Sequence, residues 1–209
     1  MENTSQFQIS VVSPNDEGCR FYLEQYKPFR LKALQQDPDA FGSTHARELA
    51  FDDEAWLARL KTPAARIYVA VRSSDGSVVA STALIGPLVD AHPASNPYQT
   101  VADGGRADGE DLTKPMCFQM AAVYTVPEAR GCGLAKALIT AASDEAAKLA
   151  AAAKRSLALS VVVYATNNAA ISVYERCGFV KGADGPKLIY NELKDLSEEY
   201  LHMFLSPTP

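Results

Sequence analysis

The feature that most constrains the fold is a glycine turn that connects an apolar strand to a long alanine-rich helix. Residues 116–126 are mostly apolar, and Pro127 ends that strand because proline cannot donate to a sheet. Residues 131–153 are then predicted to be a helix that opens with Gly131 and Gly133. The first turn of a helix has free N–H groups and carries the positive end of the helix dipole. The pattern therefore predicts an anion site of the kind that binds phosphate.

The two glycines alone do not identify the ligand, because a G-x-G pair can also be no more than a tight turn. The sequence has no G-x-x-x-x-G-K-[ST] pattern, which excludes a P-loop. It also lacks a third glycine at the spacing of the Rossmann fingerprint. A second motif is needed to choose a function.

The remaining elements predict one α/β domain over residues 1–209. Strands are predicted at residues 8–12, 67–71, 78–85, 116–126, 157–165, 179–181 and 199–205, and helices at residues 26–36, after Asp52, at 131–153 and at 168–177. Residues 86–115 contain prolines, paired glycines and charged side chains, and are predicted to be a long loop insertion. A lid, a substrate wall and an insertion without function all stay open for this loop.

Composition excludes several classes of function. The 209 residues carry a net charge of -5 and show no stripe of Lys and Arg, which argues against nucleic acid as a partner. No run of about 18 apolar residues occurs, so no membrane span is expected. The four cysteines and three histidines are scattered, and no metal site is expected. Because the N-terminus lacks a secretory signal, a cytoplasmic protein is the default expectation.

Two ordered motifs supply the missing information. The first follows the pattern R/Q-x-x-G-x-G/A and is carried by Arg130, Gly133 and Ala135. The second is a strand followed by Asn167, Ala170, Tyr174, Gly178 and Phe179. Together they resemble the GNAT superfamily of N-acetyltransferases, over residues 8–205 with only the loop outside. The resemblance implies a mixed, largely antiparallel sheet of six to seven strands that splits into a V and is flanked by helices.

The resemblance also implies acetyl-CoA as cosubstrate and assigns residues to it. The pantetheine arm would pair with strand backbone in the split, as an added strand would. The residues implied for the arm are Val123, Tyr124, Thr125 and Asn167, and those implied for the diphosphate turn are Arg130, Gly131, Cys132, Gly133, Leu134 and Ala135. Cys132 fills a variable position of that turn and is not expected to be a nucleophile, since no histidine lies nearby in the sequence.

In this reading Tyr174 is the general acid that protonates the departing CoA thiolate, and a backbone N–H near Val123 polarises the carbonyl. The general base is undetermined, because residues 118–126 contain no carboxylate. Deprotonation through water by Glu48 or Asp52 stays open.

The expected activity is transfer of an acetyl group to a primary amine by direct attack in a ternary complex. Small amines, polyamines, amino sugars, amino acids and peptide amines all stay open as acceptors. The alternative is a catalytically silent acyl-CoA-binding module that senses the cofactor or binds a partner. A homodimer is compatible with the sequence but is not indicated by it.

Overall fold

The computed structural model describes residues 6–89 and 113–205 and places eight strands in one sheet. The strands are β1 (Phe7–Val11), β2 (Ala65–Arg72), β3 (Val78–Leu88), β4 (Met116–Thr125), β5 (Leu157–Tyr164), β6 (Phe179–Lys181), β7 (Lys187–Asn191) and β8 (Leu196–Leu205). They run in the order β1-β2-β3-β4-β5-β8, and β6 and β7 both pair with β8. Among these strands of the described residues, only β4 and β5 pair in parallel. The expected mixed, largely antiparallel sheet is confirmed, but it has eight strands in the described residues and not the six to seven that were expected.

The helices precede β2 or follow β4 and β5. They are α1 (Asp16–Phe21), which continues through a π-helical turn (Tyr22–Tyr26) into α2 (Lys27–Gln36), then α3 (His45–Leu49), α4 (Asp53–Lys61), α5 (Leu134–Ala152) and α6 (Asn168–Arg176). The prediction that the long helix begins at Gly131 is wrong by three residues. Gly131 and Gly133 have φ angles of 79° and 76°, which belong to a turn and not to a right-handed helix.

Helix α5 covers one face of the sheet, where it packs across β2, β3, β4 and β5. Its buried stripe consists of Leu134, Leu138, Ile139, Ala142, Ala146 and Ala150. On this face Glu145 of α5 forms an ion pair of 3.7 Å with Arg66 of β2. Arg66 is paired with Leu84 of β3, whereas Tyr124 of β4 is paired with Ser81. Because side chains alternate along a strand, Tyr124 lies on the opposite face, where α2 packs.

The predicted loop of residues 86–115 lies mostly outside the described residues. The prediction that it begins at residue 86 is wrong, because β3 continues to Leu88, which is paired with Cys117. After the loop, β4 begins at Met116. In the ranges 6–89 and 113–205, no helix has the length and apolar character needed to span a bilayer. The same ranges contain no group of three or more His, Cys, Asp or Glu side chains placed to hold a metal ion.

Candidate functional site

The parallel strands β4 and β5 separate halfway along their length. Residues Met116 to Met120 pair with Leu157 to Val161, and the register ends there. Beyond it β4 stays with β3, and β5 stays with β8 as far as Tyr164. A bulge accompanies the separation, since Ala122 has a φ of 53° and the β3–β4 register shifts beside it. The two free halves, the β4 arm and the β5 arm, enclose the V-shaped gap that the resemblance implied.

The glycine turn lies where the β4 arm of the gap ends. A 3-10 turn (Pro127–Ala129) leads to Arg130, and Gly133 is the N-cap of α5 without any side-chain capping bond. Within the described residues, the amides of residues 131–135 have no hydrogen-bond acceptor. A Cβ atom built on Gly131 or Gly133 would meet nothing within 4 Å, so the space beside the α-carbons of the two glycines is open. Five unpaired donors at the positive end of a 19-residue helix fit a diphosphate.

A groove continues from the turn along the exposed side of α5. Its volume is about 420 Å³, and it is lined by Gly133, Lys136, Ala137, Thr140, Ala141 and Asp144. A volume of this size is within the range of small-molecule sites. Lys136 is exposed in the first turn of the helix and adds a cation beside the free amides. Lys136 was not predicted from the sequence, although it follows Gly133 by only three residues.

Backbone groups of the β4 arm are only partly available. The Val126 amide donates to Val79 of β3 at 2.9 Å, so Tyr124, two residues earlier, presents its backbone to β3 as well. The Thr125 carbonyl faces away from β3 but accepts from Nε of Arg130 at 3.1 Å. Val123 lies between the bulge and Tyr124, past the last β5 pairing. Of the three β4 residues implied for the pantetheine arm, Val123 and Thr125 are therefore better placed than Tyr124.

Arg130 has contacts that differ from those implied for it. Its amide donates to the Pro127 carbonyl at 3.2 Å, and Nη2 donates to Oδ2 of Asp37 at 2.7 Å. The guanidinium carbon also lies 5.7 Å from the centre of the Tyr124 ring. The side chain thus points to the α2 face of the sheet, and neither its amide nor its guanidinium faces the open space at the glycines. Its implied role as a cofactor residue stays a prediction that these contacts do not support.

The β5 arm carries the implied acid. Tyr174 on α6 is buried, and its ring packs edge-on against Phe179 at 5.7 Å. Burial, together with the nearby Cys177 thiol, raises the pKa of the Tyr174 phenol, which therefore stays protonated at neutral pH. Its hydroxyl forms no hydrogen bond within the described part of the chain. A protonated phenol without an acceptor is able to donate to a leaving group.

Asn167 links β5 to that helix. Its side-chain oxygen accepts from the Ala170 amide at 3.0 Å and caps α6. The cap uses the acceptor of the side chain and leaves its NH₂ group as a donor. Asn167 is half-buried where the β5 arm ends, which suits the implied contact with a pantetheine amide.

The two carboxylates considered as a water-relayed base both have structural roles. Glu48 is 1% exposed, accepts two bonds of 3.0 Å from Arg30, and lies 3.3 Å from Arg59. Burial alone would raise the pKa of Glu48, but the bonds and charges of Arg30 and Arg59 lower it to about 2. Asp52 caps α4 by accepting from the Ala55 amide at 2.8 Å. The hypothesis that Glu48 or Asp52 serves as the base stays a prediction that these contacts do not support.

A segment that was not predicted from the sequence crosses the mouth of the gap on the α2 face. It consists of residues 37–42 and is called the strap. Towards β4, Oδ2 of Asp37 accepts from the Tyr124 hydroxyl at 2.6 Å. Towards β5, the Phe41 carbonyl accepts from the Tyr164 hydroxyl at 2.9 Å. The β7–β8 hairpin adds bonds from Asn191 to the Gly42 carbonyl and from Lys194 to the Pro38 carbonyl, at 3.0 and 3.2 Å.

Comparison with known proteins gives one family and many similar folds. A family model described as the acetyltransferase (GNAT) family matches residues 30–179. No curated protein matches the chain. A ribosomal-protein-alanine N-acetyltransferase from Brucella melitensis is 19% identical, with a TM-score of 0.59 over 94% of this chain and 98% of its own.

Two further solved structures were determined with cofactor. Spermidine N-acetyltransferase from Vibrio cholerae, in complex with CoA and spermine, is 16% identical, with a TM-score of 0.55 over 96% of this chain and 95% of its own. The Salmonella typhimurium protein yncA, with its cofactor acetyl-CoA, is 16% identical, with a TM-score of 0.58 over 97% of this chain and 95% of its own. At these identities the likeness supports the fold.

Proposed function

Because this chain belongs to the acetyltransferase (GNAT) family, we propose that it transfers an acetyl group from acetyl-CoA to a primary amine by direct attack in a ternary complex. The observation that carries the proposal is the set of unpaired amides at residues 131–135, which lies at the open end of the gap between β4 and β5. Similar folds in Vibrio cholerae and Salmonella typhimurium bind CoA or acetyl-CoA, which supports the same cosubstrate here.

The residues of the chain divide into two groups in this proposal. The amides of Gly131, Cys132, Gly133, Leu134 and Ala135 bind the diphosphate, and Lys136 contributes a charge beside it. Val123 and Thr125 on the β4 arm and Asn167 on the β5 arm bind the pantetheine arm.

Acetyl-CoA supplies an activated thioester carbonyl. The amine nitrogen forms a bond to that carbon, the carbon–sulfur bond breaks, and the amine loses one proton to solvent water. Tyr174 donates the proton that the departing thiolate takes up, and solvent restores the phenol. The amine approaches from the α2 face, because the diphosphate turn and α5 lie on the other side of the sheet.

The silent acyl-CoA-binding module remains the second candidate, and one observation favours it. The described strand β4 has no carboxylate, and Glu48 and Asp52 form structural bonds, so no side chain of the described residues is assigned as the general base. The proposals separate in a thiol-release assay with acetyl-CoA and a panel of polyamines, amino acids, amino sugars and peptides with free amino groups. We expect CoA release that depends on one class of amine, whereas cofactor binding without release from any amine favours the module.

Changing Tyr174 to Phe should preserve acetyl-CoA binding and lower kcat about tenfold to a hundredfold. General acids contribute about 10²- to 10⁴-fold, and an effect at or below the lower end of that range is expected because a thiolate is a comparatively good leaving group. The variant keeps the ring that packs on Phe179. The measurement is kcat beside cofactor Kd by calorimetry, and unchanged kcat would remove Tyr174 from the mechanism.

Changing Lys136 to Glu should raise the Kd for acetyl-CoA about tenfold to a hundredfold at low salt. A hydrogen bond to a charged group contributes about 1.5–3 kcal/mol, and the change also places a negative charge beside a phosphate. Lys148→Glu is the matched control, since Lys148 is exposed on the same helix and lies about 18 Å further along it. Equal Kd values for the two variants would place the phosphates away from the groove.

A further inference from the structure

The contacts of Arg130 connect the glycine turn to the strap. One oxygen of Asp37, Oδ2, accepts from both the Arg130 guanidinium at 2.7 Å and the Tyr124 hydroxyl at 2.6 Å. The guanidinium also donates from Nε to the Thr125 carbonyl at 3.1 Å. Arg130 therefore ties the first residue of the strap to the last residue of β4.

The protonation states of Asp37 and Tyr124 are well defined. The hydrogen bond from Tyr124 lowers the pKa of Asp37, burial opposes that shift, and Arg130 lowers the pKa further. Burial and the bond to Asp37 raise the pKa of Tyr124 to about 12. At neutral pH a carboxylate therefore accepts from a neutral phenol and a guanidinium, and charge-assisted bonds of this kind are short and strong.

The same contacts explain why the Arg130 side chain is poorly placed for the diphosphate. To reach the amides of residues 131–135 it would have to leave Asp37, the Thr125 carbonyl and the Tyr124 ring. Those amides and Lys136 already provide the donors and the charge that a diphosphate requires.

The rest of the strap is anchored independently of Arg130. Phe41 packs on the Tyr124 ring at 5.2 Å and under the Arg30 guanidinium at 4.3 Å, and its carbonyl accepts from Tyr164. The strap thus spans both arms of the gap on the α2 face. Losing the Arg130 bond should loosen the end at Asp37 without unfolding the segment.

We propose that Arg130 is a positioning residue that holds Asp37 and the strap against the β4 arm, and thereby governs recognition of the amine rather than affinity for acetyl-CoA. This inference rests on the proposed function, because the strap lies on the face from which the amine approaches. It assigns to the arginine of the turn a role different from that of the amides that follow it.

The test compares Arg130→Gln and Asp37→Asn with Lys136→Gln as the matched control, since Lys136 is a cation on the other side of the same turn. We expect Arg130→Gln to leave the acetyl-CoA Kd within about twofold and to raise the amine KM about tenfold or more. This corresponds to losing a charge-assisted bond of about 1.4 kcal/mol or more. Asp37→Asn should act in the same direction, whereas Lys136→Gln should weaken cofactor binding and leave the amine KM unchanged.

Hydrogen exchange gives a readout that does not require turnover. The Ala40 and Phe41 amides donate to the carbonyls of Asp37 and Pro38, and both should exchange faster in Arg130→Gln than in Lys136→Gln. Arg130→Lys, which keeps a charge but not the fork of donors, should be intermediate. A tenfold rise in cofactor Kd for Arg130→Gln, or unchanged strap exchange, would overturn the inference. If no amine is a substrate the proposed function fails, and calorimetry and exchange still decide the role of Arg130.

Discussion

Replacing Gly133 with Glu should abolish acetyl-CoA binding, with the Kd raised at least about a hundredfold. The new carboxylate would extend from the α-carbon of Gly133 into open space beside the amides of residues 131–135. There its negative charge would repel a diphosphate. At 100 times its Kd the cofactor should raise the stability of the unchanged protein by about 2.7 kcal/mol, and the variant should show no such increase. Thermal unfolding with and without cofactor measures the difference.

A second glycine provides a matched control for that substitution. Gly185 has a φ of 68° and nothing within 4 Å of a built Cβ, as Gly133 does. A left-handed conformation costs a non-glycine residue about 1–2 kcal/mol, so Gly185→Glu should be destabilised similarly but should keep the cofactor-induced shift. Equal shifts in the two variants would place the diphosphate elsewhere.

Replacing Glu48 with Gln should destabilise the fold by about 3–5 kcal/mol, because it leaves the buried Arg30 guanidinium without its charge partner. For a domain of this size that corresponds to a fall in Tm of about 6–20 °C. Glu24→Gln, at an exposed position, should change Tm little. Denaturant unfolding measures the free energy of unfolding of Glu48→Gln and Glu24→Gln. Similar values for the two variants would show that the ion pair is dispensable.

The Glu48 carboxylate should also make the free energy of unfolding depend on pH. The pKa of Glu48 is about 2 in the folded protein against an ordinary value of 4.5. A carboxylate with a depressed folded pKa stabilises the fold above its unfolded pKa, and this contribution is lost as the pH falls towards the folded value. About 3 kcal/mol should therefore disappear between about pH 4.5 and pH 2 in the unchanged protein. In Glu48→Gln this component should be absent.

The glycine turn could be predicted from the sequence because it is local. A strand that ends at a proline, two glycines and a helix occupy consecutive residues, so the pattern can be read within one segment. The start of α5 was misplaced for a local reason as well, since spacing of apolar residues does not reveal that Gly131 and Gly133 adopt positive φ angles.

The strap and the buried ion pair could not be predicted in that way. The bonds from Tyr124 to Asp37 and from Tyr164 to Phe41 join residues 87 and 123 positions apart. The sequence around Glu48 does not distinguish it from a surface carboxylate, because its ion-pair partners Arg30 and Arg59 are distant in the chain. The direction of the Arg130 side chain depends on Asp37, so a motif alone cannot assign its role.

The edge strand β7 was also missed. Its alternate residues Leu188 and Tyr190 are exposed, so no contrast between a buried and a solvent-facing side marks it as a strand. Its place is fixed by pairing with the first half of β8.

The proposed function depends on binding of the acetyl-CoA diphosphate by the amides of residues 131–135. The most direct measurement is a titration of the isotopically labelled protein with CoA, followed through the backbone ¹H–¹⁵N resonances. We expect the amide protons of Gly131, Gly133 and Leu134 to shift downfield in proportion to CoA saturation, because they form new charge-assisted bonds. Saturable CoA binding that leaves these three resonances unmoved would contradict it.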